Sequence, residues 1–328
     1  MKMLKNSLVA GAVAALPLCA PLTQALAQAY PSKPVRIYTS APAGPYDIVL
    51  RGISPALQQG LGQPIIIENK TGANYVPLGE ICARSTPDGY NLCTGDVYTS
   101  VLNVQAYNKL SYGAKDFTPI IHFGYLYSAL IVHPSVPANN LRELLALAKA
   151  KPDALNFGTP GPATNSSMYV DYWKKTNVAS FQNIAYKSFV QSLNAVVSGE
   201  VNAAIFGLGQ SMAQVRAGKV RALAIIGEGP SKLAPGVPTF REAGVDLTIL
   251  NWGGLLGPAG LPRDIVMRWN GEMKKVLTDA ALREKFVEGQ GFEQAPPSGG
   301  SPEEFNSFLQ SEHTKLAKIV QITGLRLD

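Results

Sequence analysis

The chain has 328 residues, of which 46% are hydrophobic and 16% are charged, and its formal net charge is +6. This composition is typical of a soluble globular protein with a sizeable core, and a prior of about 150 residues per domain predicts two domains. The lysines and arginines are scattered rather than clustered, which argues against nucleic acid as a partner. The mild net positive charge suits a small anionic ligand.

The start of the chain predicts a cleavable signal peptide over residues 1–27. Lys2 and Lys5 give it a positive end, and an alanine-rich apolar run follows over residues 8–18. Ala27 and the alanine two positions before it are the small residues at which a signal peptidase cleaves. The apolar run falls short of the roughly 20 residues that span a bilayer, which argues against a membrane anchor. We therefore predict cleavage near Ala27 and export to the periplasm, with a net charge of +4 once Lys2 and Lys5 are removed from the total of +6.

The cysteines support the same compartment. Leu18 precedes Cys19, where a lipid-modified protein has a small residue, so no lipid attachment is expected. The mature chain keeps Cys82 and Cys93, which an oxidising compartment favours as a disulfide, with two buried free thiols as the alternative. No histidine lies at ligand spacing from either cysteine, so we predict no metal site.

Short β-branched runs and amphipathic runs alternate over the first part of the mature chain. The predicted order is strand, helix, strand, helix, strand over residues 35–39, 46–59, 65–67, 75–83 and 91–93. This order is typical of a mainly parallel sheet with helices on both faces. Pro55 lies inside the first of these helices, which predicts a kink or an early end there.

A second α/β unit follows His133-Pro134. Its predicted helices cover residues 141–150, 166–175, 188–197 and 212–216, and its strands lie near 155–157, 181–186, 201–206 and 220–226. Residues 247–256 are expected to be extended, a long helix begins near Pro262, and the last helix begins at Ser301.

The two terminal helices have no sheet of their own, so we expect them to return to the first unit. This gives an α/β fold with two lobes and a ligand cleft between them. We assign residues 28–133 together with 254–328 to lobe 1, and residues 134–253 to lobe 2.

Catalytic patterns are missing from the sequence. There is no Gly-x-Ser-x-Gly elbow, no phosphate loop, no His-Glu-x-x-His and no Gly-x-Gly-x-x-Gly after the first strand. His122, His133 and His313 have no partner pattern around them, which favours structural roles. We predict that the protein is not an enzyme, has no catalytic residue and needs no cofactor.

Two strand–helix loops have the properties of an anion site. Residues 41–45 join the first strand to the first helix, and the small polar residues 158–167 run into a helix of the second unit. Helix starts present free backbone N–H groups and the positive end of the helix dipole, which Asp47 would complement in the first turn. Each loop alone is also explained as a plain turn with ordinary caps. Two such loops on opposite lobes favour a site for a carboxylate.

Several short motifs, taken in order and spacing, resemble the periplasmic substrate-binding proteins of tripartite tricarboxylate transporters, also called the Bug family. The similarity extends over nearly the whole mature chain from Tyr30. The motifs are Tyr30-Pro31-Ser32-Lys33-Pro34-Val35-Arg36, Pro42-Ala43-Gly44 with Asp47, Leu61-Gly62-Gln63-Pro64, Glu68-Asn69-Lys70-Thr71-Gly72-Ala73, Pro87-Asp88-Gly89-Tyr90, Lys115-Asp116-Phe117-Thr118-Pro119, Ala185-Tyr186-Lys187, Arg216-Ala217-Gly218-Lys219-Val220-Arg221-Ala222-Leu223-Ala224 and Gly257-Pro258-Ala259-Gly260.

The resemblance implies a two-lobed Venus-flytrap fold that binds one ligand per chain and delivers it to the permease subunits of a membrane transporter. Members of that family bind di- and tricarboxylates, some amino acids, nicotinate and aromatic acids, and the two loops above typically hold the carboxylate. We expect a monomer that closes its lobes around the ligand. The predicted ligand-binding residues are Ala43, Gly44, Pro45, Tyr46, Asp47, Tyr98, Thr159, Gly161, Ala163, Thr164, Asn165, Ser166, Tyr186 and Gly207.

Departures from the family pattern bear on the ligand. Pro45 and Tyr46 replace small residues of the first loop, and Asn202 and Gly207 stand where acids are common. An ammonium ligand needs an acid near the cleft, so amino acids are not expected to bind. Our hypothesis is that aromatic side chains frame a flat or apolar acid, with a dicarboxylate as the other candidate. The proposed aromatic frame is Tyr46, Tyr75, Tyr98 and Phe206.

Two other functions fit the same sequence. A periplasmic hydrolase or isomerase would change its ligand, whereas a receptor returns it unchanged and is stabilised by it. A sensor that presents its ligand to a membrane kinase would share the binding site of a transport receptor.

Overall fold

A computed structural model describes residues 30–161 and 163–327. The predicted signal peptide and its cleavage site lie outside the described residues, as does Pro162. Among the helices that are described, none combines the length and the apolar character needed to cross a bilayer.

The strands form two separate sheets, of six and five strands. Their bounds are β1 Val35–Thr39, β2 Ile65–Asn69, β3 Asn91–Gly95, β4 Phe117–Leu126, β5 Ser128–Val132, β6 Asn156–Thr159, β7 Gln182–Ala185, β8 Ala203–Gly207, β9 Arg221–Ile226, β10 Asn251–Pro258 and β11 Phe292–Glu293. The first sheet has the order β11-β4-β10-β3-β1-β2, and the second has the order β7-β6-β8-β5-β9.

Helices follow most strands and cover the sheets. They are α1 Pro45–Leu61, α2 Val76–Ala83, α3 Asn103–Ala106, α4 Leu141–Ala150, α5 Asn165–Lys175, α6 Phe189–Ser198, α7 Leu208–Arg216, α8 Arg263–Thr278, α9 Ala280–Leu282 and α10 Pro302–Thr323. Two π-helical turns, Tyr98–Leu102 and Arg283–Val287, adjoin α3 and α9.

The parallel part of each sheet agrees with the predicted alternation. β1 pairs in parallel with β2 and β3, and β6 pairs in parallel with β7 and β8. Antiparallel strands complete both sheets: β10 and β4 in the first, β5 and β9 in the second. β4 and β5 are two buried apolar runs without an intervening helix, so the predicted alternation of strands and helices does not include them.

The chain crosses between the sheets at other positions than we predicted. β5 belongs to the second sheet although we assigned it to lobe 1, so the first crossing is at Tyr127 rather than after His133. Tyr127 accepts a backbone bond from Leu208 and donates one to Gly291, which ties it to both sides. The chain returns to the first sheet at Asn251, where β10 begins, which is three residues before the predicted Gly254.

The last helix is shared between the lobes rather than confined to lobe 1. α10 packs against β4 of the first sheet and against α5 of the second. Leu316, Ile319 and Val320 on α10 are buried in the same apolar cluster as Tyr169 and Trp173 of α5. Three chain segments therefore connect the lobes: Tyr127, the approach to β10, and α10.

Helix α1 continues through Pro55 without the predicted break. Proline has no N–H, so the carbonyl of Arg51 loses its helical donor. The hydroxyl of Ser54 donates to that carbonyl at 3.0 Å and replaces the missing bond. The helix is also held by a buried apolar face that includes Leu50, Ile53 and Leu57.

Asp47 holds the loop that leads into α1. Its side chain is only 5% exposed and accepts the backbone N–H of Ala43 at 3.0 Å, Nε of Arg51 at 3.0 Å and Nδ2 of Asn69 at 2.8 Å. Asn69 also donates to the carbonyl of Ser40 at 3.1 Å. The carboxylate thus ties the end of β1, the loop and the end of β2 together.

The ionisation of Asp47 follows from these contacts. Burial alone raises the pKa of this carboxyl, but the hydrogen bonds from Arg51, Asn69 and Ala43 outweigh it and leave the pKa below its ordinary value. A carboxyl whose pKa is lowered by folding contributes stability above its unfolded pKa, and that contribution is lost as the pH falls through the folded pKa.

We expect Asp47→Asn to lower the free energy of unfolding by about 2 kcal/mol at pH 7, because charged hydrogen bonds are replaced by weaker ones. The difference from the wild type should shrink below about pH 4, where the unfolded carboxyl is protonated. Urea denaturation at several pH values measures this. Asp264→Asn is the matched control, because Asp264 is also in a first helical turn but is exposed. An equal loss in both variants would contradict the assigned role of Asp47.

The two cysteines of the mature chain are bonded to each other, Cys82 Sγ to Cys93 Sγ. The bond joins α2 to β3 and lies in the core, since both residues are at most 1% exposed. Closing a loop this short removes roughly 3 kcal/mol of conformational freedom from the unfolded chain. The disulfide therefore anchors α2, which follows the cavity-lining residue Tyr75.

Candidate functional site

A cavity of about 340 Å³ lies where the loops of the two sheets meet; we call it the cleft cavity. From the first sheet and its helices it is lined by residues 40–46, Tyr75, Tyr98, Leu126 and Asn251. From the second it is lined by Ser128, Gln210 and residues 165–166, 188–190 and 205–207. Both sheets therefore contribute walls to one cavity at the carboxyl ends of β1, β6 and β8.

Four helices begin at this cavity. The N-cap residues of α1, α6 and α7 (Gly44, Ser188 and Gly207) line it, as do Asn165 and Ser166 in the first turn of α5. The first turn of a helix has backbone N–H groups without intrahelical partners and carries the positive end of the dipole. Within the part of the chain that the structure describes, no charged side chain lines the cavity. Its electrostatic preference for an anion therefore comes from the backbone.

The loops before α1 and α5 are built alike. Ala43 and Ala163 have φ of 55° and 57°, and each comes directly before the N-cap of its helix. This left-handed conformation is uncommon for residues other than glycine and costs energy. In the first loop, the hydrogen bond from the N–H of Ala43 to the carboxylate of Asp47 stabilises this conformation. In the second, the N–H of Thr164 donates to Oγ of Ser167 at 2.9 Å in a capping box.

Tyr98 links the lobes at the cavity wall. Its hydroxyl accepts the backbone N–H of Asn165, the first residue of α5, at 3.2 Å. Burial is the main cause that raises the pKa of Tyr98, so the phenol keeps its proton at neutral pH. That proton remains available to donate into the cavity. The N–H of Asn165 is therefore occupied by Tyr98 and is not free toward the cavity.

The side chain of Asn165 also connects the lobes. Its Nδ2 donates to Oδ1 of Asn251 at 2.9 Å and to the carbonyl of Ile249 at 3.3 Å. Its Oδ1 has no partner among residues 30–161 and 163–327. That oxygen is a buried acceptor without a hydrogen bond, in a residue that lines the cavity.

Tyr75 lies beside Tyr98, with ring centroids 5.9 Å apart in an edge arrangement. Asn74 and Tyr75 both have left-handed backbones, with φ of 47° and 58°. Burial, and then the charge of Asp96, raises the pKa of Tyr75 to about 12, so it too is a neutral donor. Asp96 is itself buried, which raises its pKa to about 6 although Thr99 donates a backbone N–H to it at 2.7 Å.

Most of the predicted ligand-binding residues meet at the cleft cavity or beside it. Ala43, Gly44, Pro45, Tyr46, Tyr98, Asn165, Ser166 and Gly207 line the cleft cavity. Gly161, Thr164 and Tyr186 line an adjoining cavity of about 650 Å³. The two cavities share Tyr75, Tyr98, Ser188 and Phe189.

Three predicted residues line neither cavity. Asp47 is occupied by the loop contacts described above. Thr159 is fully buried and its hydroxyl donates to Oδ1 of Asn183 at 2.8 Å. Ala163 is 2% exposed, so its role lies in the loop backbone. These residues shape the loops and line neither of the two cavities.

One of the two positions used to exclude amino acids as ligands, Asn202, lies away from the cavity. Asn202 precedes β8, whereas Gly207 ends it, so the two are roughly 16 Å apart along the strand. Oδ1 of Asn202 accepts the backbone N–H of Asn156 at 2.7 Å, away from the cavity. Of these two positions, Gly207 lines the cavity and Asn202 does not.

The predicted aromatic frame also changes. The hydroxyl of Tyr46 donates to the carbonyl of Trp252 at 2.9 Å, and its ring packs against Phe123 and Phe292. Tyr46 is therefore mainly a core residue with one edge at the cavity. Phe206 is 2% exposed and also belongs mostly to the core.

Sequence reasoning missed several cavity residues. Ser128 and Asn251 lie directly after the two crossings between the sheets, and no local pattern marks them. Ser188, Phe189 and Val190 form the turn into α6. An apolar pair at a helix start, where polar residues are usual, is the signal that was available in the sequence.

His122 has a structural environment. It is fully buried among Tyr125, Trp252, Phe305 and Phe308, and burial lowers its pKa to about 3. The ring is therefore neutral. Among the described residues, no group of three His, Cys, Asp or Glu side chains is placed to hold a metal ion.

Comparison with known proteins identifies the family. Residues 49–325 match the model of the tripartite tricarboxylate transporter family receptor. A UPF0065 protein in the gbd 5' region of Cupriavidus necator is 30% identical over 319 residues, which cover 97% of this chain and 95% of that protein.

Two solved structures from Rhodopseudomonas palustris share the fold. Rpa4515 with adipate is 25% identical with a TM-score of 0.79, covering 90% of this chain and 99% of that one. MatC with bound malate is 26% identical with a TM-score of 0.76, and the match covers 89% of this chain and 100% of that one. The predicted two-lobed periplasmic-binding-protein fold is thereby confirmed. Since the family model matches most of its length, the chain belongs to the receptor family of tripartite tricarboxylate transporters, as its motifs predict.

Proposed function

We propose that this protein is a periplasmic receptor that binds a small carboxylate in the cleft cavity and delivers it to the permease of a tripartite tricarboxylate transporter. The observation that supports this most strongly is the convergence of four helix N-termini on a cavity without a charged lining side chain. The relatives with adipate and malate support a carboxylate as ligand.

The backbone can account for anion binding without a cation. Each helix N-terminus contributes about 0.3–1 kcal/mol toward a nearby anion, and more where the site is partly buried. The neutral phenols of Tyr75 and Tyr98 add hydrogen-bond donors. A carboxylate bound in this way forms no buried salt bridge, so no such ion pair has to be broken on release. This suits a receptor, which must also release its ligand.

Closure of the lobes around the ligand is part of this proposal, and the connections between the lobes support it. Residues of both lobes line the cleft cavity, so a ligand there contacts both. Among the described residues the chain segments that join the lobes are Tyr127, the approach to β10 and α10, beside side-chain hydrogen bonds such as that of Tyr98 with Asn165. Few connecting segments allow a hinge motion, and a ligand that bridges both walls stabilises the closed form.

A ligand panel tests the receptor function. The purified mature chain is freed of ligand and then incubated with adipate, malate, citrate, benzoate, phenylacetate and glutamate. At a hundred times its Kd, a ligand should add about 2.7 kcal/mol of stability, visible as a rise in Tm. Small-angle scattering should show compaction with the same compound, and the ligand should be recovered unchanged. No stabilisation by any carboxylate, or chemical conversion of one, would overturn the proposal.

Gly207→Asp should weaken binding of whichever carboxylate the panel identifies by at least roughly tenfold, because it adds a negative charge to the cavity wall. The side chain has room, since a Cβ at Gly207 would meet only Oε1 of Gln210 at 3.8 Å. Aspartate is also a good N-cap for α7. Calorimetric titration measures the change.

Gly271→Asp is the control for that variant. It adds the same charge on α8, away from the cavity, where a Cβ has no neighbour within 4 Å. Equal affinities in the wild type and in Gly207→Asp would show that the ligand does not bind at this cavity.

The proposed export implies that signal peptidase removes the signal peptide and creates a new N-terminus. We expect the mature protein from an osmotic-shock fraction of the native cells to begin at Gln28, because signal peptidase cleaves after small residues such as Ala27. N-terminal sequencing measures this directly. An intact Met1 in the periplasmic fraction, or recovery only with the cytoplasm, would contradict the assignment.

A further inference from the structure

Two apolar side chains are exposed next to each other at the cleft cavity. Phe189 is 42% exposed and Val190 is 64% exposed, and both line the cavity. Among the described residues, the other large hydrophobic side chains with comparable exposure are Ile66, Val178, Met267 and Ile322, and none of these lines it. Exposed apolar groups in a ligand cleft are a binding feature more often than a folding feature.

The fold does not require apolar residues at these two positions. Ser188 is the N-cap of α6, and its hydroxyl accepts the N–H of Gln191 at 3.3 Å. Phe189 and Val190 are therefore the first two residues of the helix, where polar side chains are common. The buried residues of α6 lie further along, at Ser192 and beyond.

The opposite walls provide matching surfaces. Tyr75 and Tyr98 form an edge-to-face pair on the first lobe. On the second lobe Phe189 packs edge-on against Phe206, with ring centroids 5.8 Å apart at 87°. The cavity thus combines helix N-termini, which bind a carboxylate, with aromatic surfaces from both lobes, which bind a ring.

We infer that the ligand is a monocarboxylate with an aromatic body, and that Phe189 and Val190 select it. This inference rests on the proposed receptor function and narrows its ligand class. An ammonium group would lose its hydration in a cavity that no carboxylate side chain lines among the described residues. A second carboxylate would find few free donors, because Pro45 has no N–H and the N–H groups of Asn165 and Leu208 are already bonded within the protein. An aromatic ring gains from burial against Phe189, Val190 and Tyr75 instead.

Phe189→Ser and Val190→Ser test the inference with benzoate, phenylacetate, adipate and malate as probes. Val190 is mostly exposed, so Val190→Ser should leave the Tm without ligand unchanged. Phe189→Ser loses the edge contact with Phe206 and should lower that Tm only slightly, with the fold intact. Each variant should bind benzoate and phenylacetate at least roughly fivefold more weakly, and Phe189→Ser roughly tenfold or more, because an aromatic contact and buried area are lost. Val178→Ser is the control, since Val178 is 39% exposed and does not line the cavity.

The outcomes separate this inference from the receptor function. Tight binding of the aromatic acids by the wild type and by Val178→Ser, with the expected losses in the two cavity variants, supports it. Binding of adipate or malate without binding of aromatic acids overturns it and leaves the carboxylate receptor intact. Unchanged binding of benzoate and phenylacetate in Phe189→Ser also overturns it. Failure of every carboxylate to bind the wild type overturns the receptor function and this inference with it.

Discussion

The segment over residues 247–252, which returns the chain from the second sheet to the first, is hydrogen-bonded from both lobes. The hydroxyl of Tyr169 on α5 accepts the N–H of Ile249 at 2.8 Å, and Asn165 donates to Asn251 at 2.9 Å. The hydroxyl of Tyr46 on α1 donates to Trp252 at 2.9 Å. Buried polar groups must be paired, so these bonds fix where α1 and α5 begin relative to the crossing. The position of the cleft cavity depends on them.

This constraint explains how the protein can attract an anion without a cation. Because α1 and α5 are fixed to one segment, their N-termini face the same cavity, and α6 and α7 add theirs through the second sheet. A buried Lys or Arg would have to lose its hydration, and it would bind a carboxylate through a pair that is costly to separate. Backbone dipoles are rigid and already oriented within each lobe, so no charged side chain has to be rearranged when the ligand arrives or leaves.

Local patterns were sufficient for the parallel halves of both sheets and for the two loops, since periodicity and strand–helix turns are short-range features. They failed where distant segments meet. Asp47 looked like a ligand-binding residue because its partner Asn69 is 22 positions away, and Tyr46 looked like a rim residue although its hydroxyl bonds Trp252, 206 positions away. Ser128 entered the cavity through a crossing that no local signal marks. The backbone of the site was therefore predictable, whereas the direction of its side chains depended on the tertiary fold.

The two buried acids near the site show how the protein keeps its own negative charge away from a ligand. The hydrogen bonds from Arg51, Asn69 and Ala43 lower the pKa of Asp47, whereas burial outweighs the hydrogen bonds to Asp96 and raises its pKa to about 6. Both carboxyls are directed to structural partners in the first lobe, and neither lines the cleft cavity. The groups at the cavity wall are instead neutral phenols, amides and backbone N–H groups. Such a wall offers hydrogen-bond donors for a carboxylate, and its exposed apolar pair, Phe189 and Val190, is the basis of the proposed aromatic ligand.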